Sequence, residues 1–213
     1  MEVCDDVSVQ IAVELVIEKA GGIDVLTNSA GVAYMGVVEE LRMPDFRKQC
    51  ETNVFGLLRV TQAVLPYMRA RRHGRILMMS SAAGLVSPPT YGAYRSSKHA
   101  VAGLAKALRL EMYPFGVEVI LIEPGYITTN FQQTAKELAQ PYVEQVKSST
   151  YARIFSGVWA GANESRAKSK TTPEDCAARH SACHRIQASQ GALSWWLHWQ
   201  RGCRSASGFC RTA

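Results

Sequence analysis

At 213 residues, with 47% hydrophobic and 20% charged positions, the chain has material for one sizeable domain and an ordinary globular profile, which argues against a fibrous or low-complexity protein. The formal net charge of +6 is unevenly placed: residues 176–213 hold five arginines and no acid, and the other 175 residues carry 19 basic and 18 acidic groups. The body therefore offers no basic face for a nucleic acid, and the high pI reports the tail.

The opening MEV reads as the end of a strand. Asp5 or Asp6 is placed to cap a helix whose stripe is Val9, Ala12, Val13, Val16 and Ala20, with Gly21-Gly22 at its end. IDVLTN (23–28) is apolar without alternation, the pattern of a strand buried on both faces. The loop SAGVAYMGVVEE follows. From Pro44 to Arg72 the spacing predicts one long helix, with proline in its first turn and Gly74 beyond its end. RILMMS (75–80) is a second buried strand, followed by the loop SAAGLVSPPT. A helix is expected from Tyr91 to Tyr113, where Pro114 and Gly116 break it. VEVILIE (117–123) is a third strand, PGYITTNF its exit, and residues 134–147 form an amphipathic helix. Strands and helices alternating at this spacing predict βαβ units and an α/β fold with a doubly wound parallel sheet.

Only Cys4 and Cys50 precede residue 175, as in a reduced intracellular protein. MEVCDDVSV lacks the charged start and apolar run of a signal peptide, and no apolar stretch approaches a membrane span, so a cytoplasmic body without a membrane partner is expected. The arginine-rich run RARRHGR (69–75) suits the C-terminal turn of the preceding helix.

Tyr94 and Lys98 stand one helical turn apart, so both side chains share a face. A phenol with a pKa near 10 is a poor acid or base at neutral pH, and a neighbouring cation is expected to lower it until it can exchange a proton with a substrate oxygen. On its own, Tyr-x-x-x-Lys on a helix is commonly surface decoration. Ser81 gives it context, standing just past the strand RILMMS, where open α/β sheets hold ligands. A hydroxyl there can donate a hydrogen bond to a carbonyl, although Ser80-Ser81 can also simply end a strand. Asn28-Ser29-Ala30-Gly31 follows another strand, and Pro124-Gly125 follows the third. Asn53 lies mid-helix, where asparagine is unfavourable unless its side chain serves another purpose. Three strand ends thus bring small or polar residues to one crevice.

The set NSAG (28–31), Asn53, MMSSAAG with Ser81, YRSSK (94–98) and PGYITT (124–129) resembles the short-chain dehydrogenase/reductase family over residues 1–175. The resemblance implies an NAD- or NADP-dependent oxidoreductase acting on a small-molecule alcohol or ketone. Tyr94 would be the general acid/base, with Lys98 lowering its pKa and binding the nicotinamide ribose. Ser81 would orient the substrate oxygen, and Asn53 would hold a water in a proton relay through the lysine. Asn28, Ala30 and Gly31 would line the cofactor, and Pro124, Gly125, Ile127 and Thr129 would meet its nicotinamide end. MEVCDD is similar to the family's L-D-V-x-D stretch, which would place Glu2 and Val3 at the adenine. The segment FGVEVILIEPGYITTNF is also loosely similar to members acting on steroids, retinoids or other hydrophobic alcohols and ketones.

In the family a glycine-rich turn and two βα units precede this point, on the order of 50 residues. The resemblance therefore implies an incomplete Rossmann-like sheet that lacks its first two βα units and its last strand, with IDVLTN left as an exposed apolar edge. Beyond TTPED (171–175), residues 176–213 form an atypical tail expected to be disordered, consistent with a shifted reading frame. Its Cys176, His180, Cys183, His184, Cys203 and Cys210 match no standard zinc spacing, so no metal is expected. Its scattered arginines and tryptophans make a weak nucleic-acid patch. Homo-oligomers are implied for intact members. The alternative to an enzyme is a non-catalytic remnant docked on a related subunit through the two long helices.

Overall fold

The computed structural model describes residues 1–82, 87–127, 129–168, 172 and 174. The expectations for residues 176–213 lie outside these.

Residues 1–3 form no strand. Val3 instead belongs to a turn: its carbonyl accepts from the Arg59 guanidinium at 2.8 Å, and Asp5 N–H donates to the Glu2 carbonyl. No strand among the described residues lies alongside, and the backbone is satisfied by this turn and by Arg59. Helix α1, Asp6–Ala20, starts at Asp5, whose carboxylate accepts from Ser8 N–H at 2.5 Å, and ends at Gly21 in the left-handed region at φ 74°. Strand β1, Val25–Asn28, leads through a long loop to α2, Met43–Cys50. The expected single helix is then interrupted by a π-helical stretch, Glu51–Gly56, before α3, Leu57–Arg71. Asn53 sits in this wider turn, and its amide leaves the helix for another partner, as detailed below. Strand β2 (Gly74–Met79), helix α4 (Gly92–Met112) and strand β3 (Val117–Ile122) follow. Gly116, at φ 69°, immediately precedes β3 at a point where a Cβ would lie 2.7 Å from the Arg72 carbonyl. Helix α5, Phe131–Val146, and helix α6, Ala152–Lys168, complete the described elements. The sequence reading did not anticipate α6.

The sheet is parallel, in the order β1-β2-β3. Its two faces differ. On one, Ile76, Met78, Val117 and Val119 pack with Val9 and Val13 of α1, with Leu57, Val60, Val64 and Met68 of α3, and with Val101 and Ala105 of α4. On the other, Val25 is 52% exposed, Thr27 and Glu118 are exposed, and Leu77 and Ile120 are half-buried. The three strands were expected to be buried on both faces. Instead α1, α3 and α4 all pack on one side, and β1 forms an edge, as the incomplete sheet implied. No helix among the described residues is long and apolar enough to cross a membrane.

Candidate active site

The carboxyl ends of β2 and β3 remain paired beyond the strands. Ser80 N–H donates to the Ile122 carbonyl at 2.8 Å, and Ala82 N–H donates to the Pro124 carbonyl at 2.9 Å. Ser81 lies between them, with its hydroxyl 3.5 Å from the same Pro124 oxygen. Ser81 and Pro124-Gly125 are therefore brought to one place by sheet geometry. The buried Ser80 hydroxyl donates to the Lys98 carbonyl at 3.0 Å and ties α4 to the strand end.

The loop after β1 is held from below. Asn53 Oδ1 accepts from Val32 N–H at 2.8 Å, and its Nδ2 donates to the Val32 carbonyl at 3.0 Å and to Ser97 Oγ at 3.1 Å. Ser97 Oγ in turn donates to the Tyr94 carbonyl at 2.7 Å. Asn53 is 1% exposed, so this amide works as a buried clamp joining the π-helical turn, the loop and α4. Gln49 reinforces it, accepting from Tyr34 N–H and donating to the Val32 carbonyl. Gly31 lies above the clamp: a Cβ there would stand 3.4 Å from Asn53 Oδ1 and 3.9 Å from Lys98 Nζ.

Tyr94 and Lys98 share a face of α4, with Nζ 5.7 Å from the phenol ring centroid. Lys98 is 5% exposed, and its ammonium donates to the Met79 carbonyl at 2.8 Å. Burial lowers its pKa to about 8. The Tyr94 pKa is raised, contrary to the expected lowering by Lys98. Desolvation is the largest cause, and a side-chain hydrogen bond from Ser81 and the Arg95 charge pull the other way. The lysine points at a backbone carbonyl, and the phenol is linked to Ser81.

These groups open into a cavity of about 710 Å³ between the strand ends and helices α4, α5 and α6, a size typical of small-molecule sites. Of the residues expected to act, Ser81, Tyr94 and Lys98 line it, as do Gly31, Pro124, Gly125, Ile127 and Thr129. Asn53 lies beneath it, with both Nδ2 hydrogens and its Oδ1 bonded to protein partners. Ala30 does not line the cavity, and Asn28 is turned into the core, where its Nδ2 donates to Thr61 Oγ1 at 3.0 Å. Glu2 and Val3 lie away from it in the turn before α1, with the Glu2 carboxylate accepting from Cys4 N–H. The sequence reading missed the outer wall: Tyr91, Arg95, Tyr126, Phe131, Lys136 and Trp159. Tyr91, three residues before Tyr94 on the same helical face, was the one legible signal among them. Among the described residues no cluster of histidine, cysteine or acid could hold a metal ion.

A family model described as short chain dehydrogenase matches residues 1–140. The uncharacterized oxidoreductase YusZ of Bacillus subtilis (strain 168) is 42% identical over 145 residues, which is 67% of this chain and 52% of the relative. The 3-ketodihydrosphingosine reductase of Bacteroides thetaiotaomicron is 41% identical over 131 residues, 62% of this chain and 49% of the relative. Among solved structures, ElxO with NADP bound superposes with a TM-score of 0.60 at 31% identity, covering 64% of this chain and 56% of that one. The chain thus spans about half the length of the curated relatives it matches.

Proposed function

The chain belongs to the short-chain dehydrogenase family, and from that premise we propose that its cavity serves hydride exchange between NAD or NADP and a secondary alcohol or ketone, with Tyr94 as the proton carrier. The observation that carries this reading is the meeting of Ser81 and Tyr94 above a buried Lys98 where β2 and β3 end. The family's cofactor fits the groups present: Gly31 leaves room above the clamp, and Lys98 offers two further N–H donors to ribose hydroxyls. Backbone at Pro124, Gly125 and Ile127, with Thr129, would border its nicotinamide end. When bound, the nicotinamide supplies or accepts the hydride.

Ser81 and Tyr94 would both direct hydrogen bonds at the substrate oxygen. In the reducing direction, negative charge develops on that oxygen as the carbonyl π bond breaks. Ser81 steadies the charge, and the Tyr94 O–H bond breaks as its proton moves to the oxygen. Tyr94 is protonated at neutral pH and so holds the proton that the acid role needs; desolvation, which raises its pKa, works against release of that proton, and the Ser81 hydrogen bond and Arg95 charge favour it. The Ser81 hydrogen bond and the Arg95 charge, which both lower the Tyr94 pKa, steady the phenolate left behind until solvent returns a proton. Asn53 acts indirectly, by fixing Val32 and Ser97 around the lysine. A ketone substrate agrees with the name of the reductase relative.

Tyr94→Phe tests the assignment. Dinucleotide affinity measured by calorimetry should change by no more than about twofold, and turnover of a ketone panel should fall by roughly 10²–10⁴-fold. Retained turnover would overturn the role of Tyr94. A second reading, an interaction module without catalysis, is favoured by the uncovered sheet face and the exposed Val25 edge. Absence of any dinucleotide binding by the wild-type chain would leave that reading in possession.

A further inference from the structure

Helix α4 fixes where the Tyr94 side chain starts, and the side-chain torsions decide where its hydroxyl lands. Ser81 holds that end by a hydrogen bond. This restraint ends when both hydroxyls turn to a substrate oxygen, the moment at which aim matters most. A second restraint does not depend on substrate. Phe131 sets its ring 5.8 Å from that of Tyr94, centroid to centroid, tilted by 49°, within the range that aromatic pairs favour. Both rings line the cavity and pack on a cluster of Ala33, Met35, Ala135 and Ala139.

Phe131 is itself firmly seated. It opens α5, and its N–H donates to Thr129 Oγ1 at 3.3 Å. Gln132 locks the same turn: its Oε1 accepts from Thr129 N–H at 2.9 Å, and its Nε2 donates to the Ile127 carbonyl. Towards its far end α5 is fastened by the hydrogen bond from Tyr142 to Asp45. A ring held at this place also shields the phenol from water, in line with desolvation as the largest cause of the raised Tyr94 pKa.

We propose that Phe131 is a positioning residue: its ring holds the Tyr94 ring in place and so keeps the phenol hydroxyl aimed at the substrate oxygen when Ser81 bonds to that oxygen too. The aim at a substrate rests on the dehydrogenase reading; the restraint between the rings does not. Misplacement of a reacting group by about 1 Å can cost on the order of 100-fold in rate. Loss of the restraint should therefore appear in kcat more than in KM.

Three variants of the full chain separate the roles. Phe131→Ala removes the ring, Phe131→Leu keeps bulk without a ring, and Phe131→Tyr keeps the ring. With carbon-13 at the tyrosine Cζ, the Tyr94 resonance is the one lost in Tyr94→Phe. It should titrate at a lower pH in Phe131→Ala than in the wild type, because water then reaches the phenolate, and it should keep the wild-type midpoint in Phe131→Tyr. The titratable groups described around the phenol, Tyr91, Arg95 and Lys98, belong to α4 and its cap and stay in place. On the ketone panel, kcat should fall roughly 10- to 100-fold in Phe131→Ala, with KM and dinucleotide Kd within about threefold of the wild type. Phe131→Tyr should restore kcat to within about threefold, and Phe131→Leu should fall between. An unmoved Tyr94 midpoint in Phe131→Ala overturns the proposal. So does a KM that rises while kcat is kept, which would make the ring a wall for substrate alone. If Phe131→Ala does not fold, Phe131→Leu bears the same two comparisons. A chain that turns over no ketone in any form, yet whose Tyr94 midpoint falls in Phe131→Ala, would refute the dehydrogenase reading and leave the ring restraint standing.

Discussion

The floor and the outer wall of the cavity are held in different ways. The floor is polar, nearly inaccessible and cross-tied: Asn53, Gln49, Ser80, Ser97 and Lys98 bond to the backbone of a loop, a strand end and a neighbouring helix. The wall is aromatic and apolar. Its helices α5 and α6 pack through small clusters around Ala135, Ala139, Tyr142 and Phe155, separate from the main core. A buried hydrogen-bonded network fixes position to fractions of an ångström but fails badly when one member is lost. An apolar wall tolerates change and adapts its shape. Ser81 and Tyr94, proposed for proton transfer, stand on a strand end and a helix tied into the floor, and Phe131 of the wall packs against the Tyr94 ring.

The sharpest way to break this contrast is at the clamp. Asn53→Ala would leave Val32 N–H without its partner, while the Val32 carbonyl keeps Gln49 and Ser97 keeps the Tyr94 carbonyl. One orphaned donor at roughly 1–3 kcal/mol, with two further hydrogen bonds lost at about 0.5–1.5 kcal/mol each, puts the loss at about 3 kcal/mol. Urea denaturation measures it. A cost below about 1 kcal/mol would mean that the loop is held by something else and that the floor is no stiffer than the wall.

The clamp also shows what the sequence could reveal. An asparagine in a helix interior signals that its side chain has another task, and Asn53 was legible for that reason. Its partner, the backbone of Val32, was not, because a main-chain group in a loop has no sequence signature. The same asymmetry holds across the fold. The caps at Asp5 and Gly21 and the three strands followed from local chemistry. The one-sided covering of the sheet did not, because an apolar run has the same composition whichever helices reach it. The outer wall was the least legible part. Phe131, Lys136 and Trp159 come from helices whose docking depends on the distant pair Tyr142 and Asp45. The direction of the Tyr94 shift was missed for a related reason: spacing put Lys98 beside the phenol, but only coordinates could show its ammonium turned to the Met79 carbonyl.

A smaller effect should appear in the pH dependence of stability. Burial lowers Lys98 from 10.5 to about 8, so the folded chain releases this proton before the unfolded chain does. Between these values the unfolded state binds more protons, and stability therefore rises with pH. The gain from about pH 8 to 10 should be about 2 kcal/mol in the wild type relative to Lys98→Met, read from urea titrations at each pH. Tyr94 has the opposite sign. Its raised pKa means that the unfolded phenol ionises first, so its contribution falls only above about pH 10 and leaves the window clear. A difference between the two proteins that stays flat from pH 8 to 10 would show that the ammonium is hydrated and that the floor is wet.

The wall should give the smallest response. The buried Tyr142 hydroxyl donates to Asp45 Oδ2 at 2.6 Å and accepts from Arg42 N–H at 3.2 Å, and the Arg42 side chain lies over the Tyr142 ring. This cluster fastens α5, and with it Phe131 and Lys136, to the start of α2. Tyr142→Phe removes both hydrogen bonds of that hydroxyl but leaves Asp45 paired with Arg42, whose Nε lies 2.8 Å from the same oxygen. The ring itself stays, so the close packing against Gly36 is kept. With no charge orphaned and the N–H of exposed Arg42 free to turn to water, losing the two bonds should cost about 1 kcal/mol. Amide hydrogen exchange should speed up across 131–146 and remain unchanged in β2 and β3. If exchange instead rose throughout the sheet, the wall and floor would be one cooperative unit, and adaptability could not be assigned to α5 alone.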